Sequence, residues 1–195
     1  MIPKLIRLGV DTILKVICEK ITIRDILIIN KNNKFNGIIE EINIKAETII
    51  YNKIHISNIN IIIRDLLLSY PFNNKKFIID NCQAVITMRL TRDNINKTLS
   101  NNKWRKLKTS IETFISKSFQ GIEITNKSIY FIQSDKLSNK NVDYTLHHDE
   151  SRISLVNNIN QEKLLLLNDK NICIKNLFFC EKYIELELTA EIIFN

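Results

Sequence analysis

The stretch "EEINIKAETIIYNKIHISNINIII" (40–63) decides the fold, because isoleucine returns at nearly every second position in it. Side chains alternate between the two faces of a β-strand, so a period of two predicts strands with one apolar face and one polar face. The phase of the pattern slips near 48–51 and again near 57–58, which predicts a turn or a bulge at each place. We therefore expect a curved pair of strands whose apolar face meets either the protein's own core or a bound molecule.

The first twenty residues have a helical period instead, and they predict one amphipathic helix over 1–20. Two interpretations of this helix stay open. It packs on a sheet through its apolar stripe, or it lies at the protein surface and contacts lipid headgroups. The opposite face carries Arg7, Asp11, Lys15 and Glu19. The apolar stripe consists of Ile6, Val10, Ile13, Leu14, Ile17 and Ile21.

The period of two dominates the rest of the chain, apart from one helical segment in the middle. We expect strands over 21–90, helical structure over 91–120 and strands again over 121–195. Short polar turns between consecutive strands favour antiparallel pairing. The sequence therefore predicts a single α+β domain (1–195) in which helices cover one face of a large antiparallel sheet.

The middle segment begins with a clear helix start signal. Thr91 is a typical N-cap residue, since its hydroxyl accepts a hydrogen bond from a free backbone amide, and Asp93 suits the positive end of the helix dipole. Apolar residues then continue at helical spacing from Trp104 to Phe119. This pattern predicts a second helix that packs on the sheet.

No motif for catalysis or nucleotide binding occurs in the chain. Gly9, Gly37 and Gly121 lie too far apart for a P-loop or a dinucleotide fingerprint, both of which need closely spaced glycines. The four cysteines form neither a CxxC pair nor a cluster with histidine, so they are interpreted as inert thiols. We expect a non-enzymatic protein without a cofactor.

The segment "HHDE" (147–150) is the one cluster of residue types that bind metals. Adjacent residues of a strand point to opposite faces, so His147 and His148 would not converge on one ion. We interpret the segment as the end of a strand that runs into a turn, and we expect no metal site.

The net charge of +7 raises the question of nucleic-acid binding. Basic residues are spread along the chain, and the densest group is "NNKWRKLK" (101–108), in which Trp104 stands among lysines and an arginine. An aromatic residue in a basic patch can stack on a base. Trp104 also begins an apolar helical stripe, which favours an anchor in the core, so nucleic acid is not the expected partner.

The N-terminal segment predicts no export signal. Asp11 and Lys15 interrupt its apolar residues, and no cleavage site with small residues follows. No apolar run approaches the roughly 18 residues of a membrane span. The expected location is the cytoplasm or the cytoplasmic face of a membrane, as a peripheral protein.

One segment points to a family. "LTRDNINKTL" (90–99) follows a strand and resembles the Leu-Thr-x-x-Asp-Leu-Asn-x-x-Leu signature of the LmeA-like phospholipid-binding family of bacteria. Asn94 stands where the family has an acid, and Ile95 where it has leucine. The residues that match are Leu90, Thr91, Asn96 and Leu99.

The strands before this segment are also similar to those of the family. Tyr51, Ile54 and Ile56 match a Tyr-x-x-(Leu/Ile)-x-(Leu/Ile) step, and the likeness covers roughly residues 20–120. The resemblance implies a fold like the tubular lipid-binding (BPI-like) domains. In that fold a strongly bent antiparallel sheet wraps around helices and leaves an apolar groove for phospholipid.

The leading hypothesis is therefore the binding or transfer of phospholipid, or of another acyl lipid, at a membrane surface. The N-terminal helix is the candidate contact with the membrane. One alternative is a protein-interaction or scaffold domain with a fully packed core, and a weaker one is single-stranded nucleic-acid binding through Trp104. The sequence does not predict an oligomeric state. The expected lining of the lipid groove is Ile42, Ile44, Ile54, Ile56, Ile61, Ile63, Leu186 and Leu188.

Overall fold

The computed structural model describes residues 2–29, 38–69, 78–79, 82–133 and 142–192. Within these residues three helices and twelve strands occur. The helices are α1 (Ile2–Ile17), α2 (Arg92–Leu99) and α3 (Arg105–Phe114), and a 3-10 turn (Asn102–Trp104) precedes α3. The strands are β1 (Lys20–Ile29), β2 (Ile38–Tyr51), β3 (Ile54–Ser69), β4 (Ile78–Ile79), β5 (Cys82–Thr91), β6 (Gly121–Ile124), β7 (Ile129–Ile132), β8 (Asp143–Asp149), β9 (Arg152–Asn157), β10 (Lys163–Asn168), β11 (Ile172–Cys180) and β12 (Tyr183–Ile192).

The strands form two antiparallel sheets, so the prediction of an α+β fold with antiparallel pairing is confirmed. The first sheet has the order β1-β2-β3-β5-β12-β11, and β4 pairs with the end of β3. The second sheet is a meander in the order β10-β9-β8-β7-β6, where each strand pairs with its neighbour in sequence.

The expectation of one large sheet was wrong. Of the strands described after residue 120, only β11 and β12 return to the first sheet, and β12 pairs with β5 from Tyr183↔Thr91 to Ile192↔Cys82. The strands β6 to β10 are four to seven residues long and follow one another in the chain, so each pairs most readily with its neighbour in sequence. They therefore form a separate sheet.

The stretch 40–63 forms the β2–β3 hairpin, as its isoleucine pattern predicts. Its turn consists of Asn52 and Lys53, whose φ angles of 54° and 65° are typical of the primed turns that suit strand twist. The pairing runs in one register from Ile38↔Leu67 to Tyr51↔Ile54.

The two phase slips of the sequence are one structural feature. Thr48 and Ser57 fall opposite each other, between the pairs Glu47↔Asn58 and Ile49↔Ile56. Thr48 has a φ of 55°, and β1 shifts its register against β2 at this place. One extra residue in each strand therefore lets the isoleucines on both sides of the slip point to the same face.

The three helices occupy two places. Helix α1 lies on the first sheet, where Ile6, Val10 and Leu14 pack against a buried cluster. That cluster contains Ile26, Ile39, Ile42, Ile44 and Leu66. The helices α2 and α3 lie instead between the two sheets, where α2 contacts β3, β5 and β6 and α3 contacts β10. In the described part of the chain, no helix combines the length and the apolar content that crossing a membrane requires.

Candidate functional site

A cavity of about 270 Å³ lies between the two sheets, beside α2 and α3. Its lining is apolar except for the hydroxyl of Thr98 and the indole nitrogen of Trp104, and every lining residue is buried or half-buried. The helices contribute Ile95, Thr98, Leu99, Leu107 and Ile111, and the 3-10 turn contributes Trp104. The strands contribute Ile54, Leu90, Ile122, Ile129, Phe131, Leu146, Ile153, Leu155, Leu166, Leu167, Ile184 and Leu186.

The cavity exists because two short helices separate the sheets. Helix α2 has eight residues and α3 has ten, and each has one buried residue, Leu99 and Ile111 respectively. An aromatic cluster lies beside the cavity, where Phe131 stacks edge-on against Tyr144 with ring centroids 5.2 Å apart. Aliphatic side chains line most of the remaining wall and leave the space between them open.

Helix α2 is held in place by the polar residues of the segment 90–99. Asn94 Oδ1 accepts hydrogen bonds from the Thr91 amide at 3.0 Å and the Thr91 hydroxyl at 2.7 Å, and also from the Ser57 hydroxyl. The bond from the Thr91 amide and a bond from the Asn94 amide to the Thr91 hydroxyl (3.3 Å) together form a capping box, so the predicted cap at Thr91 is confirmed. The bond from Ser57 ties the start of α2 to β3.

Further hydrogen bonds fix the other side and the far end of α2. The Asn96 side chain accepts from the Ile122 amide at 2.9 Å, at the start of β6. The Thr98 hydroxyl accepts from the His55 amide at 3.0 Å and donates to the Asn94 carbonyl at 2.9 Å. The segment that carries the family resemblance therefore positions one wall of the cavity between β3 and β6.

Trp104 joins the 3-10 turn to the tip of the β2–β3 hairpin. Its indole Nε1 donates to the Asn52 carbonyl oxygen at 3.2 Å, and the neighbouring Lys103 bonds to the Asn52 side chain. The Trp104 ring is half-buried and borders the cavity. Its polar atom is therefore used within the protein, and its ring faces the apolar space.

The residues expected to line a groove fall into separate groups. Ile54 and Leu186 line the cavity. Ile42 and Ile44 belong to the buried cluster under α1, and Ile61 and Ile63 pack against it. Ile56 lies in a third cluster with Ala46 and Ile49. Leu188 is buried in β12, where it pairs with Ile86 and Ile174.

The sequence did not indicate most of the lining. The helical spacing of Leu107 and Ile111 marked them as packed residues, but no local pattern shows that a helix lies between two sheets. The contributions of β7, β8 and β9 were missed for the same reason, since their alternation predicts an apolar face without naming what it meets.

A second apolar surface lies on α1, on the side turned away from the sheet. It consists of five side chains that are between 54% and 80% exposed, and we call it the outer face of α1. The predicted stripe is thus divided, because its members Ile13 and Ile17 are exposed while Ile6, Val10 and Leu14 pack inward. The outer face comprises Leu5, Leu8, Ile13, Val16 and Ile17.

Charged residues flank this outer face. Lys4, Arg7 and Lys15 are exposed. The Lys15 ammonium lies 2.7 Å from a carboxylate oxygen of Asp11, and the Arg7 guanidinium lies 3.8 Å from a carboxylate oxygen of Asp25. The helix therefore has an apolar face, a buried face and a charged edge between them.

The titratable groups show no activated nucleophile or metal cluster in the described residues. Burial raises the pKa of the Cys18 thiol and of the Tyr144 phenol, which keeps both groups protonated and weakens them as nucleophiles. His147 and His148 are exposed on β8, which ends at Asp149 before a turn, as predicted for "HHDE". Among the described residues, no three histidine, cysteine or acidic side chains come together in a metal-binding arrangement.

Comparisons with protein-family models, with curated proteins and with solved structures find no match to this chain. The resemblance to the LmeA-like family stays a prediction that is carried by the segment 90–99 and the strands before it.

Proposed function

We propose that this protein binds the acyl chain of a lipid in the inter-sheet cavity, without catalysis, and that it exchanges this lipid at a membrane surface. The observation that carries the proposal is the cavity of about 270 Å³ with its almost wholly apolar lining. A fully packed scaffold core would have no such space, because protein interiors are normally packed as densely as organic crystals.

The size of the space favours a ligand over an empty void. An engineered cavity of about 150 Å³ with a similar aliphatic and aromatic lining stays dry and binds benzene. The cavity here is larger, and no described side chain of its lining has a free donor to hold water, since the Thr98 hydroxyl and the Trp104 N–H both donate within the protein. A hydrocarbon chain would restore the dispersion contacts that the lining residues lack, and burial of each methylene contributes about 0.8 kcal/mol.

The outer face of α1 supports contact with a bilayer. A helix with exposed apolar residues on one side and basic residues along its edge is typical of helices that lie in the membrane interface. Lys4, Arg7 and Lys15 lie where they would meet anionic headgroups. The proposed location is peripheral, at the cytoplasmic face of a membrane, and we propose a phospholipid or another acyl lipid as the partner.

The protein-interaction alternative is favoured by the same surface, since an exposed apolar helix face can also bind a protein. Nucleic-acid binding through Trp104 has less support, because its indole ring borders the cavity and its N–H is bonded to Asn52. Vesicle binding and lipid content separate these functions.

The first test is the lipid content of the purified protein. Extraction with organic solvent followed by mass spectrometry is expected to recover an acyl lipid in a constant molar ratio to protein. Extraction of a matched column fraction without the protein is the control. Absence of lipid, together with no binding to vesicles of phosphatidylcholine and phosphatidylglycerol, would contradict the proposal.

A second prediction concerns a variant that fills the cavity. Leu155 is buried in β9 and lines the space, so Leu155→Phe is expected to place its larger ring there. The variant should lose lipid content and bind acyl chains at least tenfold more weakly, while its free energy of unfolding in the lipid-free state stays equal or rises.

The matched control is Ile42→Phe in the cluster under α1, which does not line the cavity. Overpacking of a filled core costs about 1–3 kcal/mol, so this variant should be less stable and yet keep its lipid. Chemical denaturation and lipid analysis of both variants are the measurements. Equal lipid loss in both variants would show that the effect of Leu155→Phe is not local to the cavity.

A further inference from the structure

We infer that the cavity holds its ligand by one hydrocarbon tail alone, about ten carbons long, and does not select the polar head group. This inference rests on the proposed function and specifies the class of ligand: single unbranched alkyl or acyl chains, whatever their head group. It follows from the hydrogen bonds of the two polar lining residues, from the absence of charged side chains among the described lining residues and from the volume.

Both polar side chains of the lining already form hydrogen bonds within the protein. The Thr98 hydroxyl donates to the Asn94 carbonyl and accepts from the His55 amide. The indole N–H of Trp104 donates to the Asn52 carbonyl. A head group inside the cavity would find neither a free hydroxyl proton nor a free indole N–H to bond with.

Among the residues that the structure describes, the cavity lining carries no charged side chain. Moving an ionised or strongly polar group into such a space without a partner is costly, so a phosphate, carboxylate or sugar stays outside. The tail enters and the head remains in water or at the membrane surface. A site that selects a head group does so with polar groups that hydrogen-bond to it, and the described lining of this cavity has no free donor or charged group for that purpose.

The volume of the cavity limits the length of the hydrocarbon chain that it can hold. If a cavity of about 150 Å³ holds the six carbons of benzene, a cavity of about 270 Å³ holds roughly ten carbons at the same density. That amount fits one chain segment and leaves no room for a second chain. A two-chain lipid would therefore insert one tail and leave the other outside.

The experiment is a titration that follows the fluorescence of Trp104, the one tryptophan of the chain, whose ring borders the cavity. The probes are three homologous series below their micelle concentrations: fatty acids, alkyl phosphocholines and alkyl maltosides, from shorter to longer than about ten carbons. Affinity is expected to rise about fourfold per methylene up to about ten carbons and then to level off. At equal chain length the three series should agree within about threefold, since each head group stays outside.

Variants show whether the chain-length plateau depends on the cavity. Leu155→Phe, or Ile111→Phe if the first variant fails to fold, should move the plateau to shorter chains, and Ile159→Gln, at an exposed position outside the lining, should leave it unchanged. Different affinities for the head groups, or a gain that continues well beyond the plateau length, would overturn the inference and leave lipid binding intact. No binding by any of the three series would overturn both the inference and the proposed function.

Discussion

Replacing Leu8 and Val16 with glutamine is expected to weaken binding to phosphatidylcholine–phosphatidylglycerol vesicles by roughly a hundredfold, because about 3 kcal/mol of apolar burial is lost. Both side chains belong to the outer face of α1, where they are 62% and 80% exposed. Glutamine keeps the net charge and the helix propensity, so the change isolates the apolar contribution. The melting temperature should stay nearly the same, since exposed substitutions away from packed contacts usually change stability by less than about 0.5 kcal/mol.

The matched control replaces two exposed apolar residues elsewhere, Ile159→Gln and Leu165→Gln, which are 73% and 50% exposed and lie away from α1. Co-sedimentation of the wild type and of both double variants with vesicles is the measurement. The control should bind like the wild type. Equal loss in both double variants would remove α1 as the membrane contact. A wild-type dimer that the Leu8→Gln/Val16→Gln variant dissociates, without vesicle binding, would favour the protein-interaction function.

Asn94→Ala is expected to lower the free energy of unfolding by roughly 2–4 kcal/mol. The Asn94 side chain accepts hydrogen bonds from Thr91 and Ser57, and its loss removes a capping box, which contributes about 0.5–2 kcal/mol. It also leaves half-buried donors unpaired, at about 1–3 kcal/mol for a buried group. Because α2 forms a wall of the cavity, acyl-chain binding should fall together with stability.

Urea denaturation measures this loss. Asn94→Asp keeps the acceptor oxygen and should recover most of the stability, whereas the exposed Asn102→Ala, in the 3-10 turn, should stay within about 0.5 kcal/mol of the wild type. A loss in Asn94→Ala as small as that in Asn102→Ala would show that the capping box does not hold α2 in place.

The elements that depend on local patterns could be predicted from the sequence. The alternation of isoleucine predicts the β2–β3 hairpin, and Thr91 marks the start of α2, because strand period and helix capping involve residues close together in the chain. The division of the strands into two sheets could not be predicted. Alternation shows that β9 has an apolar face, but the strand or helix that covers this face is decided by distant residues.

The lining of the cavity likewise depends on residues that are distant in the chain, so local patterns could not predict it. Ile44 and Ile54 have equal alternation in the sequence, yet Ile44 packs under α1 and Ile54 lines the cavity. Helical spacing likewise marks Val10 and Ile13 as one stripe, although Val10 packs inward and Ile13 is 57% exposed. A one-dimensional period identifies apolar residues, while the arrangement of the helices and the two sheets decides whether these residues fill a core, line a cavity or meet a membrane.

The opposed residues Thr48 and Ser57 amount to a matched insertion in an otherwise plain hairpin. Without Thr48, the chain of β2 would read Ala46, Glu47, Ile49. Without Ser57, the chain of β3 would read Ile56, Asn58, Ile59. Simple alternation of apolar and polar residues would then hold along both strands. The extra residues disrupt the pairing with β1 at Thr48 and give Ser57 its bond to Asn94 on α2. Length changes in this hairpin should therefore be tolerated only when both strands change together. A version that lacks both residues would keep its apolar face but lose the hydroxyl that anchors the helix.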